Sequence, residues 1–203
     1  PKQDVSRPTR MAEYTDKGVY QGTIVDPTTQ VTTVDIARAG IIPSQTCFDT
    51  LSSLLNPASV RQDHVMMSRI TAEDQKVTGA GFGGMKLAGP VDGRILLFPD
   101  PMGATGSSLS TAIQFYKDQV KDTPPAKIIT LNLIVTPEFI QKVKSDHPDV
   151  IQYAYRLDRG MSDAQYLSTT PGTHWEQETG LTENHYIVPG GGGFGEILNN
   201  ALE

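Results

Sequence analysis

Asp100 stands four residues before a run with almost no side-chain bulk, Ala104-Thr105-Gly106-Ser107-Ser108. Small residues let successive backbone N–H groups close around an anion at the start of the following helix, with hydroxyls adding bonds. A phosphate suits that cradle. Asp100 does not suit phosphate, because like charges repel; its carboxylate is fitted to accept from sugar hydroxyls or to hold a cation. Together the two features describe a site for a sugar phosphate. The plainer alternative is that Ser107 only caps a helix and Gly106 only turns the chain.

The surrounding sequence supplies the elements such a site needs. Residues 95–98 (Ile-Leu-Leu-Phe) are apolar without alternation, as in a strand of a parallel sheet covered on both faces. Leu109, Ala112, Ile113, Phe115 and Tyr116 recur at helical spacing behind the small-residue turn. The order is therefore strand, loop, helix, with the loop at the carboxyl end of the strand, where open α/β sheets bind their ligands.

Further arginines could meet an anion. Arg38-Ala39-Gly40 follows the β-rich residues 31–36, and its small residues let a turn approach an anion beside the guanidinium fork. Arg69 ends the apolar run at 64–70. For each, a solvated surface arginine is the competing reading. Near the end of the chain, Tyr186-Ile187-Val188-Pro189 leads into Gly190-Gly191-Gly192-Gly193-Phe194-Gly195. Four glycines leave main-chain N–H and C=O groups open, so a flat heterocycle could be read by backbone alone, unless the run is only a flexible tail.

The chain has 203 residues, 37% of them hydrophobic, which fits one globular domain with a sizeable core. Net charge is −6, and the 17 Lys and Arg are scattered, so a nucleic-acid partner is not expected. Cys47 is the sole cysteine, which excludes an intrachain disulfide and points to a reducing compartment. No run reaches the roughly 20 apolar residues of a membrane span, and no signal peptide precedes Pro1, so a cytoplasmic protein without membrane contact is expected. The start at Pro1 rather than Met leaves room for a segment upstream.

Residues 1–18 read as a polar N-terminal arm. Residues 19–25 and 31–36 read as a hairpin or two successive strands across the turn Asp26-Pro27-Thr28-Thr29. A helix is expected over 43–55, then a strand at 64–70 and a glycine-loaded loop over 71–90, long enough to serve as a lid. Strand 127–135, helix 137–143 and strand 150–155 follow, and the alternation predicts an α/β fold with a parallel sheet flanked by helices. Residues 157–182 read as irregular. A strand at 186–188 and a helix over 196–202 close the chain. Gly79-Ala80-Gly81-Phe82-Gly83-Gly84 and residues 190–195 both fit G-x-G-x-x-G, but neither sits between a strand and a helix of a βαβ unit, so the dinucleotide reading fails. His174-Trp175-Glu176 could suggest a metal or an acid catalyst; with His64, His147 and His185 scattered, no ligand spacing exists, and a packed loop is the better reading.

Asp100-Pro101-Met102-Gly103-Ala104-Thr105-Gly106-Ser107-Ser108 resembles the phosphoribosyl pyrophosphate (PRPP) loop of type I phosphoribosyltransferases, in the Asp-Pro-Met-x-Ala-Thr-Gly form of the uracil phosphoribosyltransferase family. Arg38-Ala39-Gly40, Arg69 and the glycine run agree with it in order. The resemblance implies a single domain of the type I phosphoribosyltransferase fold, with residues 156–203 forming a C-terminal hood. It also implies transfer of ribose 5-phosphate from PRPP to uracil or another pyrimidine, giving UMP and pyrophosphate, with Mg²⁺ carried by PRPP and no metal site on the protein. Residues 100–108, Arg38 and Arg69 would hold PRPP, with Asp100 and the two arginines in the catalytic roles. Ile187, Gly192, Gly193 and Phe194 would contact uracil, and a homodimer is expected. The hood departs from the family pattern: Gly193 stands where an Asp is usual and Phe194 where a small residue is usual. That leaves a second reading open, a catalytically impaired regulatory protein that binds PRPP or nucleotide on the same fold.

Overall fold

The computed structural model describes residues 1–71, 77–119 and 122–200. In chain order the elements are β1 (Lys2–Pro8), β2 (Val19–Val25), β3 (Val31–Ala37), α1 (Ile41–Leu54), β4 (Val60–Thr71), β5 (Val77–Lys86), β6 (Ile95–Pro99), β7 (Met102–Gly103), α2 (Ser107–Asp118), β8 (Lys127–Val135), α3 (Pro137–Asp146), β9 (Ile151–Leu157), α4 (Ala164–Leu167) and α5 (Phe194–Asn199). Single 3-10 turns lie at Arg10–Glu13 and Pro57–Ser59.

Seven strands form one sheet in the order β5-β4-β3-β6-β8-β9, with the short β7 beside the carboxyl end of β8 in line with β6. Every pairing is parallel except β4 with β5. Residues 31–36 of β3 are buried at every position, the polar Thr32, Thr33 and Asp35 included. On one face, Val34, Leu96, Phe98 and Ile128 pack against Leu109, Ile113 and Tyr116 of α2 and Phe139 and Val143 of α3. On the other, Val31 and Val60 meet Phe48, Leu51 and Leu55 from α1 and the residue after it. Each large side chain so buried contributes about 1.5 to 3 kcal/mol. Helices thus cover both faces, as expected for this α/β class.

Several sequence expectations change. Residues 2–8, read as part of an arm, form β1 and pair antiparallel with β2 along its whole length in a separate two-stranded ribbon. β2 therefore makes no hairpin with β3, whose neighbours are β4 and β6. The expected loop over 71–90 is, from Val77 to Lys86, an edge strand paired with β4. Its glycines have weak strand propensity, so the ladder to β4 holds it, and register shifts beside Met66–Met67 and Ile70–Thr71 absorb its irregularity. The first G-x-G-x-x-G match thus lies inside a strand and turns into no helix. Residues 186–188 make only a single bridge, Leu181 with Ile187.

The irregular stretch at 157–182 is ordered by buried charge. Arg159 and Glu178 pair at 3.0 Å, and the Glu178 carboxylate also accepts the N–H groups of Gly172 and His174. Trp175 lies against Gly172, and the His174 ring lies 5.1 Å from that of Tyr166. His174-Trp175-Glu176 therefore belongs to a packed loop.

Candidate active site

The PRPP-like loop is held by the strand beside it. Asp100 donates its N–H to Leu131 O at 2.9 Å, and Ile134 N–H donates to Pro101 O at 3.0 Å. Asn132, 4% exposed, donates Nδ2 to Asp100 O at 2.7 Å. Thr136 caps α3 by accepting Phe139 N–H at 3.0 Å and donates its own hydroxyl to Ala104 O at 2.7 Å. Its N–H also donates to Gly103 O at 3.0 Å. Close packing excludes side chains here, since a Cβ on Gly103 would lie 2.8 Å from the Phe139 ring. The loop is a rigid corner built on β8 and the first turn of α3.

Gly106, at φ 78°, occupies the cap position of α2, and Ser107 is the first helical residue. No side chain at the cap bonds the first turn; Thr105 Oγ1 accepts the Ser107 N–H at 3.3 Å. Ser107 is therefore not the helix cap, and the amides at the positive end of α2 face the loop. Residues 104, 105, 107 and 108 are half-buried around this end. Burial pushes the Asp100 carboxyl up to about 6, against the opposing effect of the Met102 N–H, which donates to Oδ1 at 3.0 Å.

Arg38 lies in the turn between β3 and α1, after a cis Ala37–Arg38 peptide bond. Gly40 brings that turn against the end of β6, just before the PRPP-like loop: a Cβ there would lie 2.8 Å from Ile36 N and 3.2 Å from Pro99 O. β3 and β6 are parallel neighbours, so Arg38 and Asp100 leave the same edge of the sheet. The Arg38 guanidinium pairs with Glu196 Oε1 at 2.7 Å. Arg69 lies within β4, in register with Ala80, and its side chain is outside the described residues.

The hood arrives at this edge. A Cβ on Gly195 would lie 3.2 Å from Ala39 N and from Arg38 Cβ, so α5 is seated on the Arg38 turn. Glu196 folds back over Gly193, where a Cβ would meet Oε2 at 2.5 Å. The Phe194 ring lies along the glycine run, 2.7 Å from where a Cβ of Gly191 would stand, with the end of Ile134 beside it. Gly191, Gly192 and Gly193 are exposed, and Ile187 and Phe194 are half-buried. The structure thus sets the Arg38 turn beside the end of β6 that leads into residues 100–108, seats Gly195 and Glu196 on that turn, and places Gly191 and Phe194 beside Ile134 at the end of β8. Among the described residues, no three His, Cys, Asp or Glu side chains converge to hold a metal ion.

Reading the sequence missed Asn132, Thr136 and Glu196, and also Arg156 and Asp158, which hold Gly190. None lies in a motif, and each acts across a long separation in the chain.

A family model described as uracil phosphoribosyltransferase matches residues 7–174, most of the chain. The chain belongs to the uracil phosphoribosyltransferase family. Among family relatives, the enzyme named uracil phosphoribosyltransferase from Caldanaerobacter subterraneus subsp. tengcongensis is 36% identical over 113 residues, 56% of this chain and 42% of that protein. That from Chlamydia muridarum is 40% identical over 68 residues, 34% of this chain and 21% of that protein. The chain thus spans less than half the length of these curated relatives. In fold it is similar to the solved AQ2163 protein from Aquifex aeolicus, with a TM-score of 0.65 at 18% identity, covering 98% of this chain and 75% of that one.

Proposed function

We propose that this protein transfers the ribose 5-phosphate group of PRPP to uracil, giving UMP and pyrophosphate. The observation that carries the reading is the meeting of three stretches at one sheet edge: the Arg38 turn against Pro99 through Gly40, and the hood helix against Arg38 through Gly195. Each stretch is suited to one part of the substrate pair.

The amides and hydroxyls of residues 104–108 hold the 5-phosphate at the α2 terminus. Asp100, ionised, accepts from the ribose hydroxyls. Arg38 exchanges Glu196 for pyrophosphate, and Arg69 is the second cation for it. Mg²⁺ would enter with the PRPP substrate and would supply positive charge to the departing pyrophosphate. The bond between ribose C1 and the pyrophosphate oxygen breaks with its electron pair leaving on pyrophosphate. A ring nitrogen of the base forms the new bond and releases its proton to solvent. Charge grows on the leaving group in an oxocarbenium-like transition state, so positioned cations and donors do the work and no covalent nucleophile is needed.

Main-chain groups of the glycine run read the pyrimidine edge, with Ile187, Gly192, Gly193 and the Phe194 ring around it. In this reading the hood spans residues 156–203. The same reading carries with it a homodimer in the cytoplasm, and no nucleic-acid or membrane partner. Incubating the protein with labelled PRPP, Mg²⁺ and a panel of pyrimidines and purines tests it. UMP should form with uracil as acceptor; a purine nucleotide as the main product would move the assignment to another base.

A further inference from the structure

The exposed glycine run leaves the body of the protein at Gly190, and two charged side chains from the end of β9 hold that residue by both of its backbone groups. Asp158 Oδ2 accepts the Gly190 N–H at 2.8 Å, and Arg156 Nη2 donates to Gly190 O at 3.1 Å. The two side chains are joined to each other, with Nη2 to Oδ2 at 2.8 Å and Nε to Oδ1 at 2.6 Å. The Asp158 side chain is 3% exposed and that of Arg156 is 50% exposed. Gly190 sits at φ 66°, and a Cβ there would lie 2.4 Å from Ile187 O, so the position accepts glycine alone.

On the upstream side the chain is pinned step by step. Gly160 N–H donates to Val188 O at 2.9 Å, Val188 N–H to Gly180 O at 2.8 Å, and Gly180 N–H to the Glu138 carboxylate at 2.9 Å. On the downstream side, among the described residues, the main chain of Gly191 and Gly192 makes no hydrogen bond, and the next one is Ile197 N–H to Gly193 O inside α5. The Asp158–Arg156 pair is therefore the last fixed point before the segment whose main chain is open to a ligand.

We propose that Asp158 and Arg156 are positioning residues for the base subsite: by gripping both backbone groups of Gly190 they set where the open N–H and C=O groups of residues 191 and 192 point. The inference rests on the reading of the glycine run as the base-binding segment. It separates the two halves of the site, because the PRPP-like loop is held by Asn132 and Thr136 and shares no hydrogen bond with the pair. Loosening the pair misplaces the base and leaves the phosphoribosyl cradle as it was. A part that only stabilised the fold would affect both substrates alike.

The test uses Arg156→Gln and Asp158→Asn in the full chain, with uracil and PRPP varied in turn and amide exchange followed in parallel. Misplacing a reactant by a fraction of an ångström predicts a uracil KM raised roughly tenfold or more, with the PRPP KM within about twofold of the parent. Arg156→Lys, which keeps the charge and loses the planar fork, should fall between. Exchange at the Gly190 amide should quicken while that at residues 107–109 stays unchanged. If Asp158→Asn fails to fold, Arg156→Gln, on a half-exposed side chain, decides. An unchanged uracil KM, or equal rises in both KM values, overturns the proposal. A parent that transfers to no base overturns the functional reading instead, and the exchange arm still judges the grip: unchanged exchange at Gly190 refutes it.

Discussion

Arg38 and Glu196 stand 158 residues apart in the chain and are joined by a 2.7 Å ion pair between the β3–α1 turn and the hood helix. The cation proposed for pyrophosphate is thus held by a carboxylate, with which pyrophosphate would compete. Both side chains are partly exposed, at 45% and 31%, so solvent screens the pair and its worth is that of a surface ion pair, about 0.2 to 1 kcal/mol. Glu196→Gln should therefore tighten PRPP binding by about 1.5- to fivefold, read by calorimetry, because the ligand no longer competes with a neighbouring anion. Unchanged or weaker binding would show that Glu196 does not compete for Arg38.

Asp100 predicts a pH dependence. Its carboxyl, pushed up to about 6 by burial, is charged above that pH and neutral below it. The neutral form becomes a donor and loses acceptor capacity for ribose hydroxyls, so PRPP affinity should be full above pH 7 and fall as pH drops through 6. Phosphate groups titrate nearby, and Asp100→Asn supplies the control, since its remaining pH dependence is the ligand's own. Above pH 7 that variant should bind PRPP about 10- to 150-fold more weakly, the worth of hydrogen bonds to a charged group at ~1.5 to 3 kcal/mol. Parallel pH profiles for parent and variant would remove Asp100 from the sugar.

Gly40 is required by space, its φ of −73° being open to any residue. A Cβ there would lie 2.8 Å from Ile36 N and 2.9 Å from Ile36 O, both backbone atoms that cannot swing away. Gly40→Ala should lower stability by roughly 1 to 3 kcal/mol in a urea melt, as overpacking does. It should also weaken PRPP binding, by pushing the Arg38 turn off Pro99. A variant as stable as the parent would mean that the turn tolerates a shift.

Much of this site was legible because its signals are local. The apolar residues 95–98, the acid at 100 and the small residues before α2 lie within one strand–loop–helix unit, and β8 appears over 127–135 as expected from its apolar run. β5 was hidden because glycines at 79, 81, 83 and 84 carry no strand propensity; its stability comes from pairing with β4, which one strand's sequence does not display. β1 was hidden for the same reason, since only β2 gives it partners. Glu196, Asn132 and Asp158 act across 158, 32 and 32 residues respectively, on Arg38, Asp100 and Gly190. Such contacts come into being only when the sheet order sets strand ends side by side.

Phe194 lies along the glycine run beside Gly191. A ring stacked on the base contributes about 1 to 3 kcal/mol, so Phe194→Ala should weaken uracil binding roughly 5- to 150-fold, with PRPP binding retained. Stronger uracil binding in the variant would instead mean that the ring fills the space of the base.

Transfer itself is measured most directly by following pyrophosphate and UMP together after mixing the protein with PRPP, Mg²⁺ and uracil. One pyrophosphate should appear for each UMP, and none when uracil is left out. PRPP that stays intact with uracil present, or pyrophosphate released without UMP, would contradict phosphoribosyl transfer at this site.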